Sequence, residues 1–371
     1  MKIALIHDFL LAYAGAERVL EALYRLFPEA PIYTVLADQK VIAKHFPKAQ
    51  VITSSLQRSW IRHKPQLLLP FIPQAIESFD LNSYDLVISS SGAFSHGIIT
   101  GPDTLHISYC HSPMRYAWDW HHEYLAEKGI QGGVTYFFAE MVLSRLRIWD
   151  KVSANRVDHW LANSKTVQAR IKQYYRDEST VVYPPVDTDF FDPSLVKELK
   201  KGEYAVTVSR LTPNKRIDLM IEACATAKIP LHIAGDGSNL ASLEKLAQKH
   251  SGVVHFLGAV SEEQKRQLIA ESSCFLFAAE DDFGIAPVEA LALGIPVIAF
   301  GKGGATETVQ DGKTGYFFME PTGESLSKAL ARFKNEGVAY SPAEIRQSAL
   351  PFNREHFLAA IRRFIDHATV R

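Results

Sequence analysis

The stretch EDDFGIAPVEALALGIPV, residues 280–297, decides the reading of this chain. Ahead of it, CFLF (274–277) has the length and composition of a buried strand. Behind Gly284 the residues continue helically, with Pro287 in a first turn that tolerates a missing N–H. A strand, a loop and a helix start therefore follow one another. At such a junction, free N–H groups and the positive end of the helix dipole favour phosphate, while a first-turn carboxylate can accept hydrogen bonds from hydroxyls. Asp281 and Glu289 frame the junction and point to a phosphorylated, hydroxyl-rich ligand. The bland alternative is a glutamate that only steadies a helix N-terminus.

Outward from this junction, short apolar runs alternate with helical patterns, the signature of parallel α/β layers. Strand candidates in the first half are Ile3–Ile6, Ile32–Val35, Leu86–Ser89, Leu105–Tyr109, Trp160–Ala162 and Val181–Tyr183. In the second half they are Tyr204–Val208, Leu231–Ala234, Val253–Phe256, Cys274–Phe277 and Pro296–Ala299. Between the halves, YPPVDTDFFDP (183–193) concentrates prolines and turn residues as an ordered linker would. A length of 371 residues is twice that of an ordinary domain. The expectation is α/β, with two Rossmann-like doubly wound parallel-sheet domains, residues 1–185 and 186–352, and a helix over about 353–371 with Phe357, Ile361, Phe364 and Ile365 on one face. Ligands of such sheets lie outside the carboxyl ends of the strands, so two facing domains would hold one in a deep cleft.

Composition excludes several classes. A net charge of -1 argues against a nucleic-acid partner. The three cysteines, Cys110, Cys224 and Cys274, offer neither a disulfide framework nor a metal-binding pair, which fits a reducing cytoplasm. The opening MKIALIHDF is too short for a signal peptide, and no later segment reaches about 18 uninterrupted apolar residues. From Gln39 to Ile76 the six basic residues Lys40, Lys44, Lys48, Arg58, Arg62 and Lys64 face no acidic ones and are interleaved with Trp60 and LLLPFIP. That mixture reads either as a peripheral membrane contact or as a basic face over a buried loop.

Several loops carry candidate chemistry. The strand ending at Val208 leads into SRLTPNKRIDLMIEA, where Arg210 and Lys215 could neutralise a diphosphate; a solvated basic loop is the alternative. Gly235-Asp236-Gly237 is a weak signal, at home in any tight turn. Gly303-Gly304 permits a close backbone approach to phosphate. In the first half, HDFLLAYAGAERVLEA opens a helix at Gly15 without the G-x-G-x-x-G dinucleotide fingerprint. His7 and Asp8 read equally as end-of-strand polar residues or as site residues, and Glu17 and Arg18 as helix surface or N-terminal electrostatics. The strand ending at Tyr109 delivers CHSPMRYAWDW, with His111 at its tip. Cys110 beside it is no nucleophilic dyad partner, because adjacent strand residues point opposite ways. Two further patterns read as decoys: Asp187-Thr-Asp189 spells D-x-D but lies in the linker, and His121-His122 lacks the i, i+4 spacing of a zinc pair.

The acidic motif Asp281, Phe283, Gly284, Glu289 resembles the signature of the family 4 retaining glycosyltransferases, although the first position there is usually Glu. Glu280 shares the sugar-reading role with Asp281 on that account. The resemblance extends through R-L-x-x-x-K at Arg210 and Lys215 and through H-x-P-x-R-Y-x-W-D from His111, an element of a mannosyltransferase branch that builds bacterial surface polysaccharide of the O-antigen type. It implies a GT-B architecture whose C-terminal helix packs back on the first, acceptor-side domain. Arg210 and Lys215 would clamp the leaving phosphate, Glu289 would read the ribose diol, and Gly15 would meet phosphate. Val260 and Ser261 would border the base, and Phe283, Gly284 and Ile285 would complete the donor site. His111 would support the charge-developing sugar.

The resulting expectation is a metal-independent, cofactor-free transfer of a hexose, mannose from GDP-mannose, to a hydroxyl of a growing glycan carried on a polyprenyl diphosphate at the inner face of the cytoplasmic membrane. A UDP-sugar transferase and a sugar-nucleotide epimerase or hydrolase of the same architecture are the alternatives.

Overall fold

In the computed structural model the CFLF run is a strand, Cys274–Phe277, buried along its whole length. It is one of thirteen strands named among the described residues, which are 1–58, 65–197, 200, 202–250 and 252–369. The chain divides into two units, Met1–Tyr183 with Leu358–Arg371, and Pro184–Phe357.

Unit 1 holds β1 (Ile3–Leu10), β2 (Ile32–Ala37), β3 (Val51–Thr53), β4 (Leu86–Ser91), β5 (Leu105–Cys110), β6 (His159–Ala162) and β7 (Ser179–Val181). They pair in parallel in the order β3-β2-β1-β4-β5-β6-β7. Its helices are α1 (Gly15–Leu26), α2 (Gln39–His45), α3 (Pro65–Leu68), α4 (Ile72–Glu77), α5 (His121–Glu127), α6 (Gly133–Ala154) and α7 (Lys165–Tyr174).

Unit 2 holds β8 (Ala205–Val208), β9 (Leu231–Ala234), β10 (Val254–Gly258), β11 (Cys274–Phe277), β12 (Val297–Phe300) and β13 (Gly315–Phe318), parallel in the order β10-β9-β8-β11-β12-β13. Its helices are α8 (Ile217–Ala227), α9 (Leu240–Ala247), α10 (Glu262–Glu271), α11 (Ile285–Ala292), α12 (Ala305–Thr308), α13 (Gly323–Glu336) and α14 (Pro342–Ala349). The last helix, α15 (Arg354–Thr369), begins in unit 2 and from Leu358 belongs to unit 1, where Phe364 meets the His159 ring edge-on at 5.7 Å. Both sheets are doubly wound, and their strand order reverses at β1/β4 and at β8/β11.

Several strands differ from the sequence expectation, β2, β4 and β10 each running two residues further. β1 runs on to Leu10, so His7 and Asp8 lie inside it, and β7 sits two residues earlier than Val181–Tyr183. The edge strands β3 and β13 are additions. β3 has only three residues, too few for a periodic signal. β13 starts at Gly315, where a Cβ would sit 1.8 Å from the Val297 carbonyl oxygen, so a residue that reads as a strand breaker is what lets this strand pair.

The basic and apolar halves of 39–76 meet different partners. His45, ending α2, stacks on Tyr13 at 3.6 Å, and Phe46 meets Tyr24 of α1. Leu68, Ile72, Ala75 and Ile76 instead join the core with Ala4, Ile6, Val87, Leu143 and Leu146. Within LLLPFIP, Leu68 and Ile72 are core, while Leu67 and Phe71 are exposed. Trp60, Arg62 and Lys64 lie outside the described residues.

On β4 the buried serines Ser89, Ser90 and Ser91 each meet a histidine: His106 at 2.9 Å, His111 at 2.8 Å and His96 at 3.1 Å. His96 also lies 3.4 Å from the fully buried Asp150, which accepts from Trp118 Nε1 and the Tyr175 hydroxyl. Burial lowers His96 and His111 to about 3 and His106 to about 4, and raises Asp150 to about 7. The three histidines thus contribute stability that is present above about pH 6.5 and lost on acidification, because the unfolded chain protonates first. Asp150 acts oppositely, its contribution being lost as pH rises from about 4 to about 7. Unfolding between about pH 4 and 6.5 should therefore take up about two protons net. Urea midpoints should fall across that window, and Asp150→Asn, which removes the opposing group, should make the fall steeper. A pH-independent midpoint would contradict this.

Candidate functional site

The reversal point of the second sheet gathers the charged residues. After β8 the chain makes a 3-10 turn, Pro213–Lys215, and passes through Arg216, which is left-handed at φ 50°, into α8. Lys215 emerges from that turn and forms an ion pair with Asp281 in the loop after β11. Both side chains are largely buried, at 16% and 23% exposure, where a charge contact is screened far less than at an open surface. Arg210 is exposed at the end of β8. Glu280 is exposed beside Asp281.

Glycines hold this acidic loop in place. Gly284 sits at φ 85° and a Cβ there would meet Phe277 at 3.1 Å. A Cβ on Gly303 would lie 2.5 Å from the Asp281 carbonyl oxygen, and one on Gly304 would lie 2.2 Å from the Phe283 Cα. Gly304 N–H donates to the Asp281 carbonyl at 2.9 Å. The Gly303-Gly304 pair, expected to approach phosphate, therefore supports the backbone of 281–283, with the Gly304 N–H committed to that loop. Gly235 and Gly237 do the same for the β8 loop, their bare faces lying 1.9 Å and 2.4 Å from the carbonyl oxygens of Ser209 and Leu211 as judged from a built Cβ.

Glu289 lies on α11, which starts after Gly284 with Ile285 as its first residue and Phe283 buried before it. The Glu289 carboxylate is buried and pairs with Lys265 Nζ of α10 at 2.5 Å, and that ammonium also lies 5.0 Å from the Phe191 ring centroid. Lys265 is the residue the sequence reading missed. The signal available was the capping box Ser261-x-x-Gln264, which fixes the start of α10. Ser261 Oγ accepts from Gln264 N–H in that cap, with Val260 directly before it.

In unit 1, β1 and β4 are in register with His7 opposite Ser90. His7 Nδ1 lies 3.1 Å from the Ser90 carbonyl and 3.2 Å from its hydroxyl oxygen, and His7 Nε2 lies 3.5 Å from Glu17. A carbonyl only accepts, so His7 Nδ1 carries a proton. The Ser90 hydroxyl is then placed to donate to His111 Nε2 at 2.8 Å, which leaves the neutral His111 protonated at Nδ1. Burial, then His7, keeps His111 uncharged. Glu17 belongs to this chain of contacts and accepts from Ala14 N–H at the start of α1 beside Gly15, the N-terminal role that is one of its two readings.

Asp8 accepts from the N–H groups of Gly92, Phe94 and Ser95, a structural role at the end of β4. Other parts of the His111 element are structural too: Trp118 bonds Asp150, and Asp119 meets Arg170 at 3.2 Å and Arg115 at 3.7 Å. Asp187 pairs with Arg354 at 2.9 Å, and Cys110 is buried. No group of three metal-ligating side chains occurs among the described residues.

Both sheets have the arrangement of GT-B glycosyltransferases. Anabaena HepE, solved with UDP, superposes with a TM-score of 0.73 at 19% identity over 99% of this chain and 100% of that one. The lipopolysaccharide outer core galactosyltransferase WaaB gives 0.68 at 18% over 99% and 100%. Two family models match in tandem, Glycosyltransferase Family 4 over residues 13–190 and Glycosyl transferases group 1 over 191–349. The chain belongs to the family 4 glycosyltransferases. Among relatives, it is 36% identical to a GDP-mannose-dependent alpha-(1-6)-phosphatidylinositol monomannoside mannosyltransferase of Mycobacterium tuberculosis, over 40% of this chain and 44% of the relative. It is 25% identical to an alpha-1,3/1,6-mannosyltransferase of Dictyostelium discoideum, over 52% and 56%. The chain spans about half the length of these relatives.

Glu289→Gln leaves the mostly buried Lys265 ammonium with the half-exposed Glu262 carboxylate, 3.7 Å away, as its remaining partner. Glu289→Gln should cost about 3 kcal/mol of stability in unit 2. Urea denaturation checks this, and an unchanged midpoint would mean that the pair contributes nothing.

Proposed function

We propose that the protein is a retaining hexosyltransferase that moves mannose from GDP-mannose to a hydroxyl of a lipid-linked or growing surface glycan. The observation that carries the reading is the Lys215–Asp281 pair at the β8/β11 reversal, the place where doubly wound sheets bind ligands. The mannosyltransferase names of the two relatives support the choice of sugar, and the mycobacterial name supports the choice of base and a lipid-borne acceptor.

On this reading the cationic loop serves the leaving group. The bond from the sugar anomeric carbon to the diphosphate oxygen breaks, and the acceptor oxygen bonds that carbon on the same face. The acceptor proton passes to the departing phosphate. Arg210 and Lys215 take up the growing diphosphate charge, which lowers the barrier because the interaction strengthens in the transition state. Asp281, with Glu280 beside it, holds sugar hydroxyls, and Glu289 reads the ribose diol. The neutral His111, fixed through Ser90, places no positive charge against the sugar as it becomes cationic.

The reading is tested by incubating GDP-, UDP- and ADP-hexoses with and without a lipid-diphosphate glycan acceptor. Transfer from GDP-mannose that requires the acceptor is expected. Preference for a UDP-sugar would replace the donor assignment, and acceptor-independent turnover would indicate an epimerase or hydrolase. The combined Arg210→Ala and Lys215→Ala variant should lower turnover by about 10²-fold or more while donor affinity changes much less. Equal losses in both would assign these cations to ground-state binding. Transfer should persist in excess EDTA, and a strict need for a divalent ion would contradict charge neutralisation by Arg210 and Lys215.

A further inference from the structure

Helix α6 is apolar on two sides. Its inward side buries Leu143 and Leu146 in the core of unit 1. Its outward side should then be polar, and it is not. Val134, Phe137, Phe138, Ile148 and Val152 are 72%, 66%, 54%, 63% and 54% exposed. At 100° per residue these five fall within one stripe along a helix of 22 residues, about 33 Å long. The charged residue on that stripe is Arg145, which is exposed. The helix's carboxylates lie elsewhere: Asp150 is buried and Glu140 bonds His121 at 2.8 Å. Alongside, a groove of about 440 Å³ runs between Phe138 and Val142 of α6, Leu67 and Leu69 of the preceding segment, and Lys128. Leu67 and nearby Phe71 are themselves 56% and 52% exposed.

We propose that this stripe rests on a lipid bilayer bearing anionic headgroups, with the aromatic and aliphatic side chains in the acyl boundary and Arg145 and Lys128 reaching phosphate. A solvent-facing stripe of large apolar side chains whose one charged residue is the cation Arg145 matches an interfacial helix. Long basic side chains can keep their apolar stems in the boundary while the charge reaches the headgroups. No described helix is long and apolar enough to cross a membrane, so the contact is one of lying on the surface. The position of Arg145 argues against a second copy as the occupant. It falls within two residues of the midpoint of Gly133–Ala154. A two-fold antiparallel pairing of the stripes would therefore bring two guanidinium groups together in a desolvated seam. The assignment sets α6 beside Leu67 and Leu69 of the expected 39–76 contact and does not depend on the identity of the donor.

The test is co-sedimentation of the full chain with phosphatidylcholine vesicles containing or lacking phosphatidylglycerol, at low and high salt, with size-exclusion light scattering alongside. The wild type should partition onto the anionic vesicles. The double variant Phe137→Asp, Phe138→Asp should lose at least tenfold in partitioning, and Ile148→Glu at the other end of the stripe should lose several-fold, both with unchanged melting curves. Arg145→Ala should weaken binding and flatten its salt dependence. Absence of wild-type binding, or equal binding by both apolar-stripe variants, overturns the proposal. So does a dimer that Phe137→Asp, Phe138→Asp dissociates, since the stripe would then be covered by a second copy. Should the double variant fail to fold, Ile148→Glu alone decides.

Discussion

Strands β8 and β11 are parallel neighbours, so the loop carrying Lys215 and the loop carrying Asp281 leave the second sheet at the same edge. Opposite charges placed there by topology need no sequence proximity, and the two residues are 66 positions apart. The rest of the site follows from keeping those loops rigid. Gly284, Gly303 and Gly304 let the acidic loop lie against the β12 connection, and Gly235 and Gly237 let the basic loop lie against the β9 connection. On the proposed reading, this pair keeps the Lys215 cation neutralised until a donor diphosphate competes for it.

Unit 1 repeats the pattern with a serine hydroxyl as the bridge. At the β1/β4 reversal, His7 and Ser90 are opposite one another, and His111 follows β5 on the far side of β4. A buried hydroxyl between two imidazoles fixes their donor and acceptor roles without a permanent charge. On the proposed reading, an uncharged His111 avoids the repulsion that an imidazolium would exert on a sugar developing positive charge.

Much of this was legible in sequence because parallel strands buried on both faces read as apolar runs, as in CFLF and PVIA. The Arg210, Lys215, Asp281 and Glu289 positions stood out by their spacing after such runs. The Lys265–Glu289 pair did not, because it joins two helices through space and neither residue is unusual in its own helix. The serines of β4 were invisible for a different reason: the strand candidate was cut at Ser89, where polarity begins, although Ser90 and Ser91 continue it in the fold. The outward stripe of α6 escaped notice because an apolar helix seen in sequence does not say which of its sides meets the core. The apolar run of 39–76 reads either as surface or as a loop in the core, and its described residues divide between the two, Leu68 and Ile72 buried and Leu67 and Phe71 exposed.

The central claim is that Lys215, held by Asp281 in the free protein, is released to the donor diphosphate while Asp281 turns to the sugar. Calorimetric titration of Asp281→Asn with GDP, paired with its rate of mannosyl transfer, tests it most directly. Freed from its counter-ion, Lys215 should bind GDP at least as tightly as in the wild type, while transfer falls by about 10²-fold or more. A parallel loss of GDP affinity and transfer, or no change in either, would contradict it.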